Sequence, residues 1–380
     1  MVPHQVLSRL AEYFHVAWVE PSIPWRESFR ISQRKQSSVE TSAEVPANFS
    51  VCSPEMWLPK FQRPAALGAF TYNMRVRRAW KHLVGKGCTK VILYVWRPEF
   101  AGGLSASPFD LSCYHIDDEY SFSNIDAPTD PVEHQLMQAV DQVFIHSAGL
   151  LEKKGSINPN TTVSPNGVDY QAYAKPRPEP TDLSAIPRPR IGYTGHLKTQ
   201  LNWDLLGELA QQRTDWHFVF VGPVSPHEDA RKAVRHLSAM ANVHFLGAKS
   251  VWELATYPQH FDVCIMPYRN DAYTHYIYPL KLHEYLASGQ PAVGSRIRSL
   301  EDFEDVISLA DTAADWVAAI STSLESAENR PARRERRQSV ARRHDWDGLV
   351  AQIAKTMAGR LGPAYLERLD ADIPRVTPEL

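Results

Sequence analysis

The chain has 380 residues, of which 43% are hydrophobic and 22% are charged, and its formal net charge is −2. This length predicts two domains, because one hydrophobic core rarely extends over so many residues. The composition is that of a globular protein and excludes the disordered and fibrous classes. The near-neutral charge argues against bulk binding of nucleic acid, which depends on a strong basic excess.

The four cysteines are far apart and show no metal-ligand spacing: Cys52, Cys88, Cys113 and Cys264. We therefore expect reduced thiols and a cytoplasmic protein. No apolar run approaches the roughly 18 residues that a membrane-crossing helix requires. The first residues also lack the charged and then apolar pattern of a signal peptide.

Short apolar runs alternate with helical patterns, which is typical of a doubly wound α/β fold. In the first half the predicted strands are His15–Glu20, Val91–Trp96, Leu111–Ile116, Gln142–His146 and Thr162–Ser164. In the second half they are Arg190–Tyr193, His217–Val221, Val243–Leu246, Val263–Pro267 and Pro291–Gly294. Each group predicts one Rossmann-like domain.

The proline-rich stretch 174–189 has little apolar periodicity and is predicted to be a linker. It separates an N-terminal domain, residues 1–173, from a C-terminal domain, residues 190–332. Residues 333–380 follow as C-terminal helices, with Val340, Trp346, Leu349, Ile353 and Met357 along one side.

The chain opens on a helical pattern, whereas a Rossmann half normally opens on a strand that turns into its first helix. Val6, Leu7, Leu10 and Ala11 form the apolar side of that first helix. Two interpretations stay open: the N-terminal domain lacks its usual first strand, or the start of the chain is assigned too late.

In open α/β sheets, ligands bind beyond the carboxyl ends of the strands. The strand that ends near Tyr193 runs into a turn that contains Gly195, His196 and Lys198, ahead of a helix from Asn202. Such a turn brings backbone N–H groups and a helix N-terminus towards a diphosphate. The next two strands end at Gly222 and at Gly247-Ala248-Lys249, where a base or ribose would fit. Tight connecting turns are the alternative interpretation for all three.

A helix predicted from Pro279 places Lys281 in its first turn and Glu284 one turn later, near the same face. The lysine can neutralise a diphosphate leaving group, and the carboxylate can accept hydrogen bonds from both ribose hydroxyls. Gly289 is expected to end this helix. An ordinary surface Lys–Glu pair is the alternative.

Four segments carry a resemblance to a known family: PLKLHEYLASGQPAVGS from Pro279, GYTGHLKTQLNWDLL from Gly192, PNGVDYQAY from Pro165 and ARRHDWDGLV from Ala341. Together they resemble GT-B glycosyltransferases, especially family 4, also described as glycosyl transferases group 1. The likeness implies a GT-B fold, with two Rossmann-like domains facing a cleft. It also implies a nucleotide-sugar donor on the C-terminal domain and an acceptor on the N-terminal domain.

By position in this family, Gly195 and Lys198 would flank the diphosphate, Lys281 would contact it and Glu284 would bind the ribose. We assign five further residues to the donor site: His196, Gly222, Lys249, Tyr268 and Leu282. Family 4 enzymes often carry a second glutamate where this chain has Tyr276. The resemblance therefore does not supply the family's usual contact to the donor sugar, or the retaining stereochemistry that goes with that contact. The Pro-Leu-Lys context of Lys281 looks like bacterial exopolysaccharide glucuronosyltransferases, some of which are inverting.

An inverting transferase needs a general base. Asp117 and Asp118 follow an N-terminal strand, and we favour Asp117 as the base, with Asp118 as the second candidate. The alternative is that both aspartates cap and orient the next segment. His115 and His146 also end strands, although single histidines are more often structural. No third ligand accompanies the aspartates, so we predict no metal and no cofactor beyond the donor.

Residues 56–98 contain nine Lys/Arg and no Asp/Glu. Apolar side chains interleave with this charge, a pattern that suits a helix lying on an anionic membrane. An ordinary solvated helix face is the alternative. We predict a cytoplasmic enzyme, and the membrane interpretation places 56–98 in peripheral contact with the inner face of the membrane.

The sequence thus predicts a glycosyltransferase that acts from a nucleoside-diphosphate sugar, with UDP or GDP, on a saccharide or lipid-linked acceptor hydroxyl. The expected setting is polysaccharide or glycolipid biosynthesis, without nucleic acid. Two alternatives stay open: a GT-B sugar-nucleotide epimerase and a non-catalytic nucleotide-sugar-binding homologue.

Overall fold

The computed structural model describes residues 2–21, 46–53, 58, 65–121, 129–325 and 330–372. The chain divides into two compact units. The first unit takes Met1–His146, Leu151–Ser164 and Leu349–Leu380, and the second takes Ser147–Leu150 and Pro165–Gly348. Leu349, predicted to lie among the C-terminal helices, therefore starts a segment that belongs with the N-terminal unit.

The strands of the first unit are β1 Val16–Val19, β2 Phe49–Cys52, β3 Ile92–Val95, β4 Leu111–Ile116, β5 Gln142–Ile145 and β6 Thr161–Val163. They form two parallel sheets, β1-β2 and β3-β4-β5-β6. Every residue of β4 and β5 is buried. These two strands therefore form the centre of the N-terminal core, as expected for parallel strands covered on both faces.

The strands of the second unit are β7 Arg190–Thr194, β8 His217–Val221, β9 Val243–Phe245, β10 Val263–Met266, β11 Ala292–Ser295 and β12 Ser308–Ala310. They form one parallel sheet in the order β12-β11-β10-β7-β8-β9. This is the Rossmann order, and its direction reverses between β7 and β10. A crevice at such a reversal is where open α/β sheets bind ligands.

The helices alternate with these strands. In chain order they are α1 Val2–Leu10, α2 Ala65–Gly85, α3 Pro131–Ala139, α4 Ala148–Lys154, α5 Tyr170–Ala174, α6 Thr181–Ser184, α7 Trp203–Gln212, α8 Glu228–Leu237, α9 Val251–Leu254, α10 Leu280–Ser288, α11 Arg298–Glu301, α12 Ala313–Glu325, α13 Arg330–Arg343, α14 Trp346–Leu361 and α15 Pro363–Asp372. Short 3-10 helices cover Pro98–Ser105, Gly155–Ile157 and Tyr257–His260.

Local chemistry explains where several helices begin and end. The Asn202 side chain accepts a hydrogen bond from the backbone N–H of Leu205 and so caps α7, whose buried leucines face the sheet. Gly289 ends α10 with φ +76°, a left-handed conformation that favours glycine.

All ten predicted strands are present, with ends that differ by at most two residues. Two short strands were not predicted, Phe49–Cys52 and Ser308–Ala310. Each contains a serine and lacks a long apolar run, so its pairing partner decides its conformation. The predicted C-terminal helices are present as α13, α14 and α15, and all five of the predicted apolar side chains are buried.

The stretch 174–189 is more ordered than a linker prediction implies. It contains α6, and the side chains of Leu183 and Ile186 are 0% and 6% exposed in the core of the second unit. Because two apolar residues among many prolines give no periodic pattern, the sequence alone does not indicate this packing.

Candidate functional site

The carboxyl ends of β7 and β8 are tied together by backbone hydrogen bonds in the second unit. Gly195 N–H donates to the Val221 carbonyl over 2.8 Å, and Gly222 N–H donates to the Gly247 carbonyl over 2.8 Å. Beyond them, Leu197 N–H donates to Pro223 over 2.9 Å. These bonds hold the two turns side by side at the sheet edge where a Rossmann unit binds its ligand.

The two turns require glycine. Gly195 has φ +120° and Gly222 has φ +149°. A Cβ atom on Gly222 would lie 2.0 Å from the Gly195 carbonyl oxygen, and one on Gly195 would lie 2.9 Å from Lys281 Nζ. The absence of side chains therefore lets the backbone and the lysine approach each other closely.

Helix α10 delivers the predicted lysine to this edge. It begins directly after Pro279, which places Lys281 in the first turn. Lys281 Nζ lies 4.9 Å from the centroid of the Tyr193 ring, at the end of β7. The cation, the helix N-terminus and the glycine turns thus converge on one place, where an anionic group would be stabilised.

Glu284 lies one turn after Lys281 and is half-buried. Burial raises the pKa of this carboxyl group, while the Lys281 ammonium and a hydrogen bond from the Tyr173 hydroxyl act to lower it. For Lys281, burial acts to lower the pKa, but attraction from Tyr193, Tyr268 and Glu284 raises it well above its ordinary value. The lysine is therefore positively charged at neutral pH.

His196 and Lys198 lie beside this lysine, and both are exposed. Burial, Lys198 and Lys281 together lower the pKa of His196. The Lys198 carbonyl accepts a hydrogen bond of 3.0 Å from the indole N–H of Trp203. The structure therefore brings together six of the predicted donor-site residues: Gly195, His196, Lys198, Gly222, Lys281 and Glu284.

Leu282 is a correction to the prediction. Its side chain is 0% exposed and belongs to the hydrophobic core of the unit. Because α10 turns by about 100° per residue, the position after Lys281 faces the sheet. Leu282 therefore supports the helix from below and presents no side chain to a ligand.

Lys249 is engaged elsewhere. Its Nζ atom lies 2.7 Å from Asp182 Oδ2. The Tyr257 hydroxyl donates to Asp182 Oδ1 over 2.8 Å. Lys249 thus fixes helix α6 to the unit, and its charge is already compensated.

Tyr268 is 7% exposed and lies close enough to Lys281 to affect the lysine pKa. Its backbone carbonyl accepts a hydrogen bond of 2.6 Å from the Ser295 hydroxyl. Tyr276 stands at the family's second glutamate position. Its backbone carbonyl accepts a hydrogen bond of 3.1 Å from the Ser147 hydroxyl.

Sequence reasoning missed two aromatic residues of the site, Tyr193 and Tyr173. Both stand inside segments that carried the family resemblance, GYTG and PNGVDYQAY. Their places inside these two motifs were the only available signal. Their contacts with Lys281 and Glu284 join residues about 90 to 110 positions apart, which no local pattern reveals.

In the first unit, Asp117 lies just beyond β4 and is partly buried. The Tyr120 hydroxyl donates to Asp117 Oδ1 over 2.5 Å. Burial raises the pKa of Asp117, against the effects of that hydrogen bond and of the Arg97 charge. A carboxylate with a raised pKa is a better proton acceptor than an ordinary aspartate.

Asp118 does not cap the helix that follows. Its Oδ1 accepts from the N–H of the adjacent Glu119 over 2.9 Å. Helix α3 is instead capped by Asp130, whose side chain accepts from the N–H groups of Val132 and Glu133. The cap of α3 is thus Asp130, while the contacts of Asp117 with Tyr120 and of Asp118 with Glu119 agree with the alternative that the pair orients the segment after β4.

The strand-end histidines are structural. His115 stacks on Trp96 with ring centroids 4.2 Å apart, and its Nδ1 lies 2.8 Å from the Tyr94 hydroxyl. Burial lowers the pKa of His115 to about 3 and the pKa of His146 to about 4. Both rings are therefore neutral at physiological pH.

Within the described residues, no three His, Cys, Asp or Glu side chains are grouped so that they could hold a metal ion. In the same part of the chain, no helix combines the length and the apolar character that crossing a membrane requires.

Comparison with known proteins agrees with this geometry. Residues 188–326 match the family model described as glycosyl transferases group 1. The chain is 31% identical over 196 residues to the "Putative teichuronic acid biosynthesis glycosyltransferase TuaH" of Bacillus subtilis (strain 168). That match covers 50% of this chain and 49% of the relative, so the chain spans about half the length of the curated protein it matches.

Solved structures show the fold. Sucrose-phosphate synthase from Thermosynechococcus elongatus superposes with a TM-score of 0.69 at 16% identity, covering 93% of this chain and 91% of that chain. Anabaena HepE, in complex with UDP and glucose, superposes with a TM-score of 0.64 at 15% identity. The superposition covers 90% of this chain and 99% of that chain. The GT-B fold and the glycosyltransferase resemblance predicted from the motifs are confirmed.

Proposed function

We propose that this chain, whose residues 188–326 carry the glycosyl transferases group 1 match, transfers a sugar from a nucleoside diphosphate to an acceptor hydroxyl. One observation carries the proposal: Lys281 projects from the first turn of α10 to the glycine turn at the end of β7. A cation, a helix N-terminus and exposed backbone at one point suit a diphosphate.

During transfer, negative charge develops on the departing diphosphate. Lys281 would stabilise that charge without rearrangement, because Tyr193 and Glu284 already hold it in place. Glu284 would accept hydrogen bonds from the ribose hydroxyls. We propose UDP or GDP as the nucleotide, and the UDP in the HepE structure supports UDP.

We propose a saccharide or lipid-linked acceptor, in polysaccharide or glycolipid biosynthesis. The name of the Bacillus relative supports this setting. Asp117 is the proposed base in the inverting reaction. The hydrogen bond from the Tyr120 hydroxyl positions Oδ1, and the raised pKa favours uptake of a proton by this carboxylate.

Calorimetric titration with UDP, GDP, ADP and dTDP tests the donor site. We expect one nucleotide, UDP or GDP, to bind clearly more tightly than the others. Equal binding of all four would contradict recognition of the base. Binding of none would contradict the whole proposal.

Asp117→Asn should leave the affinity for the nucleotide unchanged and reduce transfer by about 10²-fold or more, because it removes the proton acceptor. Asp118→Asn is the matched control and should retain most of the activity. Initial rates with the identified donor sugar provide the measurement. Full activity of Asp117→Asn, or an equal loss in both variants, would exclude Asp117 as the base.

We also propose that α2 contacts an anionic membrane surface. Phe70, Leu67 and Val84 on this helix are 57%, 39% and 40% exposed. The side chains of Arg78 and Lys81 are exposed on the same helix. Residues 56–57 and 59–64 of the predicted basic stretch lie outside the described part of the chain.

Sedimentation with vesicles tests this contact. Binding should require phosphatidylglycerol, weaken as salt is raised and decrease in Phe70→Ser. The matched control is Val251→Ser, because Val251 is 68% exposed on α9 of the other unit. Equal binding to neutral and anionic vesicles, or no binding, would contradict the proposal.

A further inference from the structure

A cluster of charged side chains lies in the core of the first unit. Lys154 Nζ lies 2.9 Å from Glu133 Oε2 and 3.2 Å from Glu119 Oε2, and all three side chains are 0% exposed. Lys153 Nζ lies 3.4 Å from Glu119 Oε2, and the Lys153 side chain is 10% exposed. The Tyr114 hydroxyl donates to the other oxygen of Glu133 over 3.0 Å. Two cations and two carboxylates thus balance one another in this cluster.

The cluster joins three elements that are distant in sequence. Lys154 is the last residue of α4, and Glu133 lies in the first turn of α3. Glu119 lies in the turn that follows β4, three residues after Ile116. One ammonium group therefore holds the turn after β4 to the start of one helix and to the end of another.

Stability alone does not explain the cluster. The attraction within a buried ion pair has to offset the removal of both charges from water, and apolar side chains of similar volume are often equally stable or more stable. Burial acts to raise the pKa of Glu119, but the two lysines and the N–H of Ser121 lower this pKa below its ordinary value. Glu119 is therefore ionised at neutral pH. Its ion pairs and hydrogen bonds depend on direction, whereas apolar contacts do not.

Hydrogen bonds extend from the cluster into the turn, residues 117–121. Glu119 Oε1 accepts from the N–H of Ser121 over 2.9 Å. The Ser121 hydroxyl accepts over 3.1 Å from the N–H of Asp130, the residue that caps α3. The side of the turn that faces the core is therefore fixed at two positions, Glu119 and Ser121.

The residue between these two positions is Tyr120. Its hydroxyl donates to Asp117 Oδ1 over 2.5 Å and lies 3.1 Å from the Trp96 carbonyl oxygen. Because Tyr120 stands between Glu119 and Ser121 in the chain, the two fixed neighbours determine where its ring lies. The orientation of Asp117 thus depends on Tyr120, and the position of Tyr120 depends on the cluster.

We propose that Lys154 is a positioning residue for sugar transfer, because it holds Glu119 so that Tyr120 stays in contact with Asp117. The inference rests on the proposed function, in which Asp117 takes the proton of the acceptor hydroxyl. Lys154 is fully buried, so it acts through the turn and not on the substrate. A displacement of a reacting group by about 1 Å can slow a reaction by about 100-fold.

Three variants separate this role from a general effect on stability. Lys154→Met/Glu133→Gln removes one charge of each sign, so the remaining charges of the cluster stay balanced. Both substitutions nearly conserve volume, which buried sites tolerate best. Tyr120→Phe removes only the hydroxyl that contacts Asp117. The third protein combines all three substitutions.

The rate of sugar transfer and the pKa of Asp117 are measured in the wild type and in these variants. NMR of the side-chain carboxyl carbon gives the pKa and does not require activity. Tyr120→Phe should raise the pKa of Asp117 by about 1, because the hydrogen bond from the phenol favours the ionised carboxyl group. The acid limb of kcat/KM should move to higher pH by the same amount.

We expect Lys154→Met/Glu133→Gln to raise the pKa of Asp117 in the same way and to lower kcat by about tenfold or more. Because both changes act through one contact, the combined protein should show no more than the larger of the two effects. Additive effects would overturn the proposal, since Lys154 would then act independently of Tyr120. Wild-type kcat and pKa in Lys154→Met/Glu133→Gln would overturn it as well.

Lys90→Met is the matched control. Lys90 Nζ lies 2.7 Å from Asp110 Oδ1, directly ahead of β4 and so at the opposite end of the same strand. This variant should keep the wild-type kcat and the wild-type pKa of Asp117. The same losses in Lys90→Met, or a parallel loss of nucleotide affinity in Lys154→Met/Glu133→Gln, would show a general disturbance and overturn the proposal.

Should Lys154→Met/Glu133→Gln not fold, Glu119→Gln replaces it. This substitution removes the charge that anchors the turn and keeps the pair of Lys154 and Glu133. It should raise the pKa of Asp117 and lower kcat, again without adding to the effect of Tyr120→Phe. Wild-type values in Glu119→Gln would overturn the proposal.

The wild type separates this inference from the proposed function. A wild type that transfers no sugar would overturn the proposed function, and with it the role of Lys154 in transfer. An active wild type whose variants show additive effects, or none, would overturn the role of Lys154 alone.

Discussion

Lys281 is held charged in surroundings that disfavour charge. Burial acts to lower its pKa, and Tyr193, Tyr268 and Glu284 outweigh that effect. Lys281 is itself half-buried, so its charge remains accessible to the anionic ligand that we propose. An interaction of this kind is stronger than the same contact made by an exposed lysine, because little water competes for it.

Lys281→Ala should weaken nucleotide binding by about 10- to 150-fold, since a hydrogen bond to a charged group contributes roughly 1.5–3 kcal/mol. Lys232→Ala removes an exposed lysine from α8 and is the matched control. Titration calorimetry gives both affinities. Wild-type affinity in Lys281→Ala would show that the diphosphate binds elsewhere.

Gly195→Ala should reduce both stability and nucleotide affinity. The positive φ makes alanine unfavourable by about 1–3 kcal/mol. The added Cβ would also displace the end of the Lys281 side chain. Gly348→Ala is the control, because it adds a Cβ in α14 with no atom within 4 Å. It should stabilise the protein by about 0.5–1 kcal/mol. Chemical unfolding and calorimetry distinguish these outcomes.

At the scale of elements, α10 and β4 use buried polar residues in different ways. Helix α10 presents Lys281 and Glu284 to the ligand edge, while Leu282, Tyr285 and Leu286 anchor it in the core. Strand β4 is buried throughout and carries His115 inside the sheet. A buried neutral histidine makes the strand sensitive to acid.

The free energy of unfolding should fall by about 1.4 kcal/mol per pH unit for each buried strand-end histidine as the pH drops below 6.5. The unfolded histidine binds a proton near pH 6.5. The folded His115, whose pKa is lowered to about 3, stays neutral. The unfolded state therefore binds more protons, and stability increases with pH over this window.

His115→Gln keeps a hydrogen-bonding side chain near Tyr94 and removes the titration. Chemical unfolding at several pH values should give a shallower acid slope for this variant than for the wild type. The comparison is His134→Gln, which changes a half-buried histidine on α3, away from the strand ends. The same slope in all three proteins would show that His115 titrates normally in the folded state.

At the scale of the whole molecule, the polar residues predicted for donor and acceptor belong to different compact units. The donor residues lie in Pro165–Gly348 and Asp117 lies in Met1–His146. The chain returns to the first unit through α14 and α15. The residues predicted to act on the donor and on the acceptor thus lie in separate cores.

Nucleotide binding should slow amide exchange at residues 193–198, 221–222 and 280–285 and leave β4 and β5 unchanged. At a ligand concentration of 100 times Kd, the bound state gains up to about 2.7 kcal/mol of stability. Exchange mass spectrometry with and without UDP provides the map. Protection centred on β4 instead would place the nucleotide in the first unit.

Local sequence patterns were sufficient for the fold class, because apolar periodicity and glycine-containing turns are properties of neighbouring residues. They predicted ten of the twelve strands in the described residues, the start of α10 after Pro279 and its end at Gly289. They also indicated Gly195, Gly222, Lys281 and Glu284, since each follows a strand or opens a helix. The motifs alone supported the glycosyltransferase resemblance.

Contacts between distant residues were decided only by the tertiary structure. Lys249 pairs with Asp182, 67 positions away, and Asp130 rather than Asp118 caps α3. Leu282 follows a predicted ligand residue but faces the core. The residues that line a cavity near β1 and β3 also come from distant parts of the chain, as Leu7 and Met357 show. Such features follow from the three-dimensional arrangement of elements, because burial and pairing energies depend on neighbours that the linear order does not specify.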